Sequence, residues 1–203
     1  MSKMAAIILA AGLSRRMGKP KLFLPYLNVP LIHYPVSLAV ENHFDQIIVV
    51  GGRHIDQLHL VLKDFTERIT IIFNPEYELG MSTSLKAGIN ALNEDVEGVL
   101  LFLGDQPFVT MDVIEKLIHT YELNKVKGMK IVRPRFINLP GHPALFDRSL
   151  FQEFRKLYGD EGGKRIIKAH EDKLIYVDFN DDKLNLDIDT MEEYKSLIKD
   201  NPS

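Results

Sequence analysis

The residues with the most chemical potential follow directly on a short apolar run. Leu9-Ala10-Ala11-Gly12-Leu13-Ser14-Arg15-Arg16-Met17-Gly18-Lys19-Pro20-Lys21 combines small residues, two glycines, a hydroxyl and four cations. Small residues let backbone N–H groups approach phosphate oxygens, and cations neutralise their charge. The segment therefore reads as a phosphate-binding loop in preference to a solvated basic surface loop. It matches neither the P-loop, which ends in Gly-Lys-Ser/Thr, nor the Gly-x-Gly-x-x-Gly dinucleotide loop.

Other segments carry chemistry more ambiguously. In Leu103-Gly104-Asp105-Gln106-Pro107 a carboxylate ends an apolar run, where it could hold Mg²⁺ against a nucleotide or simply make a turn. Asn185-Leu186-Asp187-Ile188-Asp189-Thr190 places two carboxylates on one side of an extended segment, although Asp189 could equally cap a final helix. Gly80-Met81-Ser82-Thr83-Ser84 offers hydroxyls and N–H groups to an anion or base, with Ser82 as an ordinary N-cap in competition. His142, within Gly141-His142-Pro143, reads first as a structural hydrogen-bonder. Gly159-Asp160-Glu161-Gly162-Gly163-Lys164 is a plain loop or a rim closing on a second substrate. The remaining histidines show no metal-ligand spacing.

The elements that must position these residues follow from hydrophobic periodicity. Ala5–Leu9, Gln46–Val50, Ile69–Phe73 and Val99–Leu103 are short, nearly continuous apolar runs, as strands buried on both faces require. Amphipathic stretches at Pro30–Asn42, His54–Phe65 and Ser82–Leu92 separate them, the first kinked or delayed by Pro35. This alternation predicts an α/β fold with a parallel sheet, right-handed crossovers and ligands beyond the carboxyl ends of the strands. Further on, Thr110–Glu122, Arg148–Tyr158, Gly163–Ala169 and Thr190–Lys199 are expected as helices. Lys130–Pro134, Ala144–Phe146 and Leu174–Val177 are expected as strands, so the second half is α+β material appended to the sheet. No repeat or long linker divides the chain, which predicts one domain over 1–203, with one half to about residue 110 and another from about 111.

Composition sets the outer bounds. The 203 residues hold 25 basic and 28 acidic side chains, for a net charge of −3, so no overall basic footprint points to nucleic acid. With no cysteine, disulfides, thiolate nucleophiles and Cys-ligated metals are excluded. The apolar run at Met4–Ala11 is far short of a membrane span and is broken by Gly12 and the following cations before a signal peptide develops. A cytoplasmic location is expected.

Taken together, the motifs resemble the nucleotidyltransferases with a Rossmann-like fold, and among them the MobA-like molybdenum cofactor cytidylyltransferases. Leu9 to Lys21 is similar to that family's opening signature, Leu-Ala-Ala-Gly-x-Ser-x-Arg-Met-Gly-x-x-Lys, with Arg16 and Lys21 at its cationic positions. Gly80-Met81 with Ser84, Gly104-Asp105-Gln106-Pro107, Gly141-His142-Pro143, Gly159-Asp160 and Asp187-Ile188-Asp189-Thr190, running on to Tyr194, follow in the family's order. Gly163, where the family often has Ala, and Asn138-Leu139-Pro140 depart from its pattern.

The resemblance implies a three-layer, mostly parallel sheet flanked by helices, similar to the nucleotide-diphospho-sugar transferases, with a nucleotide half and an acceptor half. It implies transfer of CMP from CTP to the terminal phosphate of molybdopterin, with release of pyrophosphate. CTP is favoured over GTP because the guanylyl relatives carry Leu-Ala-Gly-Gly where Leu9-Ala10-Ala11-Gly12 stands. Nucleotide contacts are implied for Leu9, Ala10, Ala11, Gly12, Ser14, Arg16, Lys21, Gly80, Ser84, Gly104 and Asp105. Arg16, Lys21 and Asp105 are the implied catalytic groups, and Asp105 with Asp187 or Asp189 the implied Mg²⁺ ligands. Gly141, His142, Pro143 and Asp160 fall on the acceptor. A molybdoenzyme of the xanthine dehydrogenase type is the implied recipient. A sugar-phosphate or alcohol-phosphate nucleotidyltransferase, a guanylyl-specific relative, and a non-catalytic carrier of the molybdenum cofactor are the competing readings.

Overall fold

The computed structural model describes residues 2–14 and 17–200, the last by its backbone. In chain order the elements are β1 (Met4–Ala10), β2 (Pro25–Tyr26), β3 (Val29–Pro30), α1 (His33–Glu41), β4 (Gln46–Gly51), α2 (Ile55–Val61), β5 (Thr70–Phe73), α3 (Met81–Asn90) and β6 (Gly98–Leu103). There follow α4 (Met111–Asn124), β7 (Ile131–Phe136), β8 (Leu139–Pro140), β9 (Ala144–Asp147), α5 (Phe151–Phe154), α6 (Gly163–Ala169), β10 (Leu174–Phe179) and α7 (Met191–Asp200).

One eight-stranded sheet runs β10-β7-β9-β6-β1-β4-β5, with β8 paired to β7. The strands β6, β1, β4 and β5 are mutually parallel, as expected from their apolar runs. Residues along each alternate between two cores. Ala6, Ile8, Val49 and Phe102 face the layer of α1, α2 and α4, while Ala5, Ile7, Val50 and Leu101 face that of α3, α5 and α6. Because both faces are covered, no polar alternation survives in the sequence. Gly88 lets α3 lie close to β1, since a Cβ there would come within 2.8 Å of Ile7.

The second half departs from simple βα alternation. α4 carries the chain to β7, parallel to β10. A tight turn at Ile137–Asn138, both at positive φ, then reverses the chain into β8. Residues 144–147 consequently return antiparallel between β6 and β7. The reversal makes the sheet mixed while leaving most of it parallel.

Several boundaries differ from the periodicity. Pro30 belongs to the β2–β3 hairpin, whose turn residues Leu27 and Asn28 have positive φ as a type I′ turn requires. α1 accordingly begins at His33. Pro35 then falls in its first turn, where a missing N–H costs little. The stretch expected as a helix from Arg148 to Tyr158 is α-helical only over Phe151–Phe154. Tighter turns from Glu153 and Phe154 then bury Leu157 and lead to Gly159. No helix among the described residues is long and apolar enough to cross a membrane.

Candidate functional site

The loop after β1, the tip of β6 and the strand-like segment before α7 converge because a third small core pulls the C-terminal helix back onto the hairpin. Ile188 and Tyr194 pack with Met17, Tyr26 and Leu31, and the Tyr194 hydroxyl donates to Pro25 O at 2.6 Å. Asp187 and Asp189, on either side of the anchored Ile188, are thereby brought to the first loop. Within that loop Ser14 takes φ 47°, its carbonyl accepts from Met17 N–H at 3.0 Å and its hydroxyl from Lys21 N–H at 3.1 Å. The side chain of Lys21 then pairs with Asp105 and, at 2.8 Å, with Asp189.

A second wall is built by α3. Asn74, 2% exposed, donates to Thr83 Oγ1 at 2.8 Å and Ser84 Oγ at 3.0 Å and accepts from Glu76 N–H at 3.0 Å. Ahead of α3, Gly80 takes φ 111° and a Cβ there would stand 2.3 Å from the Gly159 carbonyl. Only glycine permits that approach, which is sealed by Ser82 N–H donating to Gly159 O at 3.1 Å. The loop around Asp160 is thus latched to the start of α3.

Two adjoining cavities result. The first, about 540 Å³, is lined by Ala11, Gly12, Ser14, Lys21, Gly80, Ser84 and Asp105, among others. The second, about 400 Å³, is lined by Gln106, Arg133, Gly141, His142 and Lys164. Leu9, Met81, Leu103, Asp160 and Asp187 border both. Two compartments meeting at carboxylates suit the joining of two substrates at a shared reacting centre.

Most residues singled out from sequence therefore gather here, with exceptions. Ala10 faces a smaller recess beside Arg53 and His54. Gly104 supports the site instead of lining it, its N–H donating to Leu9 O at 3.0 Å. Pro143 lines neither cavity and is joined to His142 by a cis peptide. Arg16 lies outside the described residues. Asn74 and Arg133 were not singled out from sequence, and Gln106 and Lys164 stood inside the quoted motifs without a role of their own. For Arg133 the available signal was a cation between the apolar residues Val132 and Pro134 of an expected strand.

The electrostatics divide the site. Burial works to lower the pKa of Lys21, but Asp105 and Asp189 outweigh it and raise the value, so the ammonium is firmly charged. The Asp187 carboxyl is pushed up to about 6, first by desolvation and then by Asp105 and Asp189, against the opposing hydrogen bond from Gln106 Nε2 at 2.5 Å. His142 is held at about 4, chiefly by burial and then by Arg133, and is neutral at pH 7. Gln106 Oε1 and His142 Nδ1 are buried without a hydrogen-bond partner among the described residues.

The metal site expected of Asp105, Asp187 and Asp189 is not preformed. Among the described residues no group of three or more His, Asp or Glu side chains is set to hold a metal ion, and Lys21 stands between two of the carboxylates. The donor set nevertheless fits a hard divalent cation. Asp105 and Asp189 add to desolvation in raising Asp187, so the three carboxyls stand close together, and carboxylate oxygens are the ligands such ions take.

Comparison with known proteins agrees with this geometry. The MobA-like NTP transferase domain matches residues 6–174. The molybdenum cofactor cytidylyltransferase of Escherichia coli is 29% identical over 96% of this chain and 95% of its own. The purine catabolism protein PucB of Bacillus subtilis is 27% identical over 93% of this chain and 92% of its own. Among solved structures, the Rv0371c protein of Mycobacterium tuberculosis superposes with a TM-score of 0.80 at 26% identity, covering 98% of both chains.

Proposed function

Because the chain belongs to the MobA-like NTP transferase domain family and is an enzyme of the nucleotidyltransferase class, we propose that it transfers CMP from CTP to the terminal phosphate of molybdopterin and releases pyrophosphate. The observation that carries this reading is the meeting of Ser14, Lys21, Asp105 and Asp189 in the first cavity, beside the border that Asp160 and Asp187 share with the second. End-to-end similarity to a molybdenum cofactor cytidylyltransferase supports the choice of substrates. On this reading residues to about 110 bind the nucleotide and those from about 111 supply most of the acceptor's surroundings, within one domain.

An oxygen of the acceptor phosphate attacks the α-phosphorus of CTP, the bond to the bridging oxygen of the β-phosphate breaks, and pyrophosphate departs. That nucleophile is ionised at neutral pH, so no general base is needed, consistent with a neutral His142. Backbone N–H groups of residues 11–14 hold the triphosphate, while Arg16 and Lys21 offset the charge that develops on it. Preorganised donors and charges of this kind account for much of the rate in phosphoryl chemistry. Asp105 with Asp187 or Asp189 would hold Mg²⁺, which when bound screens the phosphate oxygens from one another. Lys21 exchanges carboxylate for phosphate oxygen when nucleotide enters. Gln106, by donating to Asp187, orients that carboxylate toward the boundary of the two cavities.

The test is pyrophosphate release with each NTP and Mg²⁺, with and without molybdenum-loaded molybdopterin, using Asp105→Ala as the blank. Release with CTP only when the cofactor is present is the expected result. Binding of the cofactor with no release from any NTP would convert the reading to a carrier of the cofactor.

A further inference from the structure

The second cavity contains a buried cation that forms no ion pair among the described residues. β7 carries Arg133 into its wall, where the residue is 7% exposed. Its Nε donates to Gly141 O at 2.8 Å and its Nη2 to Pro140 O at 3.3 Å. These are neutral acceptors, and burial lowers the pKa of the guanidinium with no carboxylate acting to restore it. Arg135 and Arg165 behave differently. Arg135 pairs with Asp178 and Arg165 with Glu161, each at 2.6 Å and each more open to solvent. A cation buried this deeply needs an anionic partner and has none among the described residues, although a guanidinium remains charged at any working pH.

The surroundings point the same way. Lys164 lines the same cavity, and its charge, like that of Arg133, disfavours protonation of His142. The cavity's carboxylates, Asp160 and Asp187, lie on the border shared with the first cleft, and neither forms an ion pair with Arg133. Acidic groups therefore mark the reacting border, while Arg133 and Lys164 supply positive charge to the remainder of the second cavity. A planar fork of N–H donors is suited to a tetrahedral oxyanion.

We propose that Arg133, assisted by Lys164, anchors a tetrahedral oxyanion of the acceptor, making an anionic acceptor the substrate class of the second cavity. This rests on the reading of that cavity as the acceptor's. The oxyanion is either the acceptor's phosphoryl group or a metal-oxo group at its other end, and two inorganic probes separate them. Arg133 is a specificity-determining residue on this account, since it touches the substrate away from the phosphorus attacked.

The experiment titrates the whole protein, its first cleft filled with CTP and Ca²⁺, with inorganic phosphate and separately with molybdate, reading affinity from the ligand-dependent shift in thermal midpoint. Wild type is expected to bind at least one probe, with affinity at least tenfold weaker in Arg133→Met and several-fold weaker in Lys164→Met. Arg133→Lys, which keeps the charge without the fork, should fall between wild type and Arg133→Met and serves if the latter does not fold. A response to phosphate alone assigns the anchor to the phosphoryl group. A stronger response to molybdate assigns it to the metal-oxo end. Absence of binding in wild type, or equal binding in all variants, overturns the proposal. CTP binding, measured first without either probe, reports separately on the nucleotidyl-transfer reading, whose failure would leave any Arg133-dependent oxyanion binding intact.

Discussion

Lys21 joins Asp105 and Asp189, residues 84 and 168 positions away in the chain, through a single ammonium. One cation thereby ties the first loop, the tip of β6 and the segment before α7 together. Lys21→Met should remove the cation that joins Asp105 and Asp189, lowering apo stability by about 1–3 kcal/mol. Turnover should fall on the order of a hundredfold, as for loss of a preorganised charge contact. Lys19→Ala, by contrast, should alter both by little. Thermal unfolding and pyrophosphate release on the two variants check this, and equal effects would reduce the loop to a basic surface.

Asn74 sets the start of α3 through bonds to Thr83, Ser84 and the Glu76 backbone. Asn74→Ala should cost about 1–3 kcal/mol, since it leaves buried hydroxyls short of partners. Its kinetic effect should appear as a raised KM for nucleotide, because Ser84 lines the first cleft. A stability loss with unchanged KM would separate Asn74 from nucleotide binding.

The Tyr194 hydroxyl couples the C-terminal helix to Pro25. Tyr194→Phe should lose roughly 1 kcal/mol of stability, the usual contribution of one hydrogen bond. It should also raise the Mg²⁺ concentration needed for half-maximal turnover, by loosening the segment that carries Asp187 and Asp189. Metal titrations of the two proteins at saturating CTP provide the comparison. Superimposable curves would show that Ile188 packing alone holds the carboxylates.

His142 gives the fold a pH signature. Its folded-state pKa is lowered from 6.5 to about 4, so the unfolded chain takes up a proton first as the pH falls. Its contribution is complete above about 6.5 and is lost progressively between there and 4, amounting to as much as about 3 kcal/mol. His142→Phe should flatten that part of the stability curve measured by urea unfolding. Identical slopes for wild type and variant would show the imidazole to be equally basic in both states.

The strands β1, β4, β5 and β6 and the helices between them were determined by sequence alone. The continuous apolar runs of β1, β4 and β6 are buried on both faces of the covered parallel sheet, while β5, at its edge, is only partly buried. Asp105, Asp187 and Asp189 were also visible as chemistry, each with a turn or cap as an equal alternative. Only tertiary structure shows what these carboxyls meet, because their partners, Lys21 and Gln106, lie far away in sequence. The same holds for β9, whose four residues fit either direction until the turn at Ile137–Asn138 reverses the chain. Arg133 is the extreme case. Its identity is plain in the sequence, but whether a cation in an apolar strand is paired, solvated or left facing a cavity depends on which carboxylates the fold brings near, and here it brings none into an ion pair.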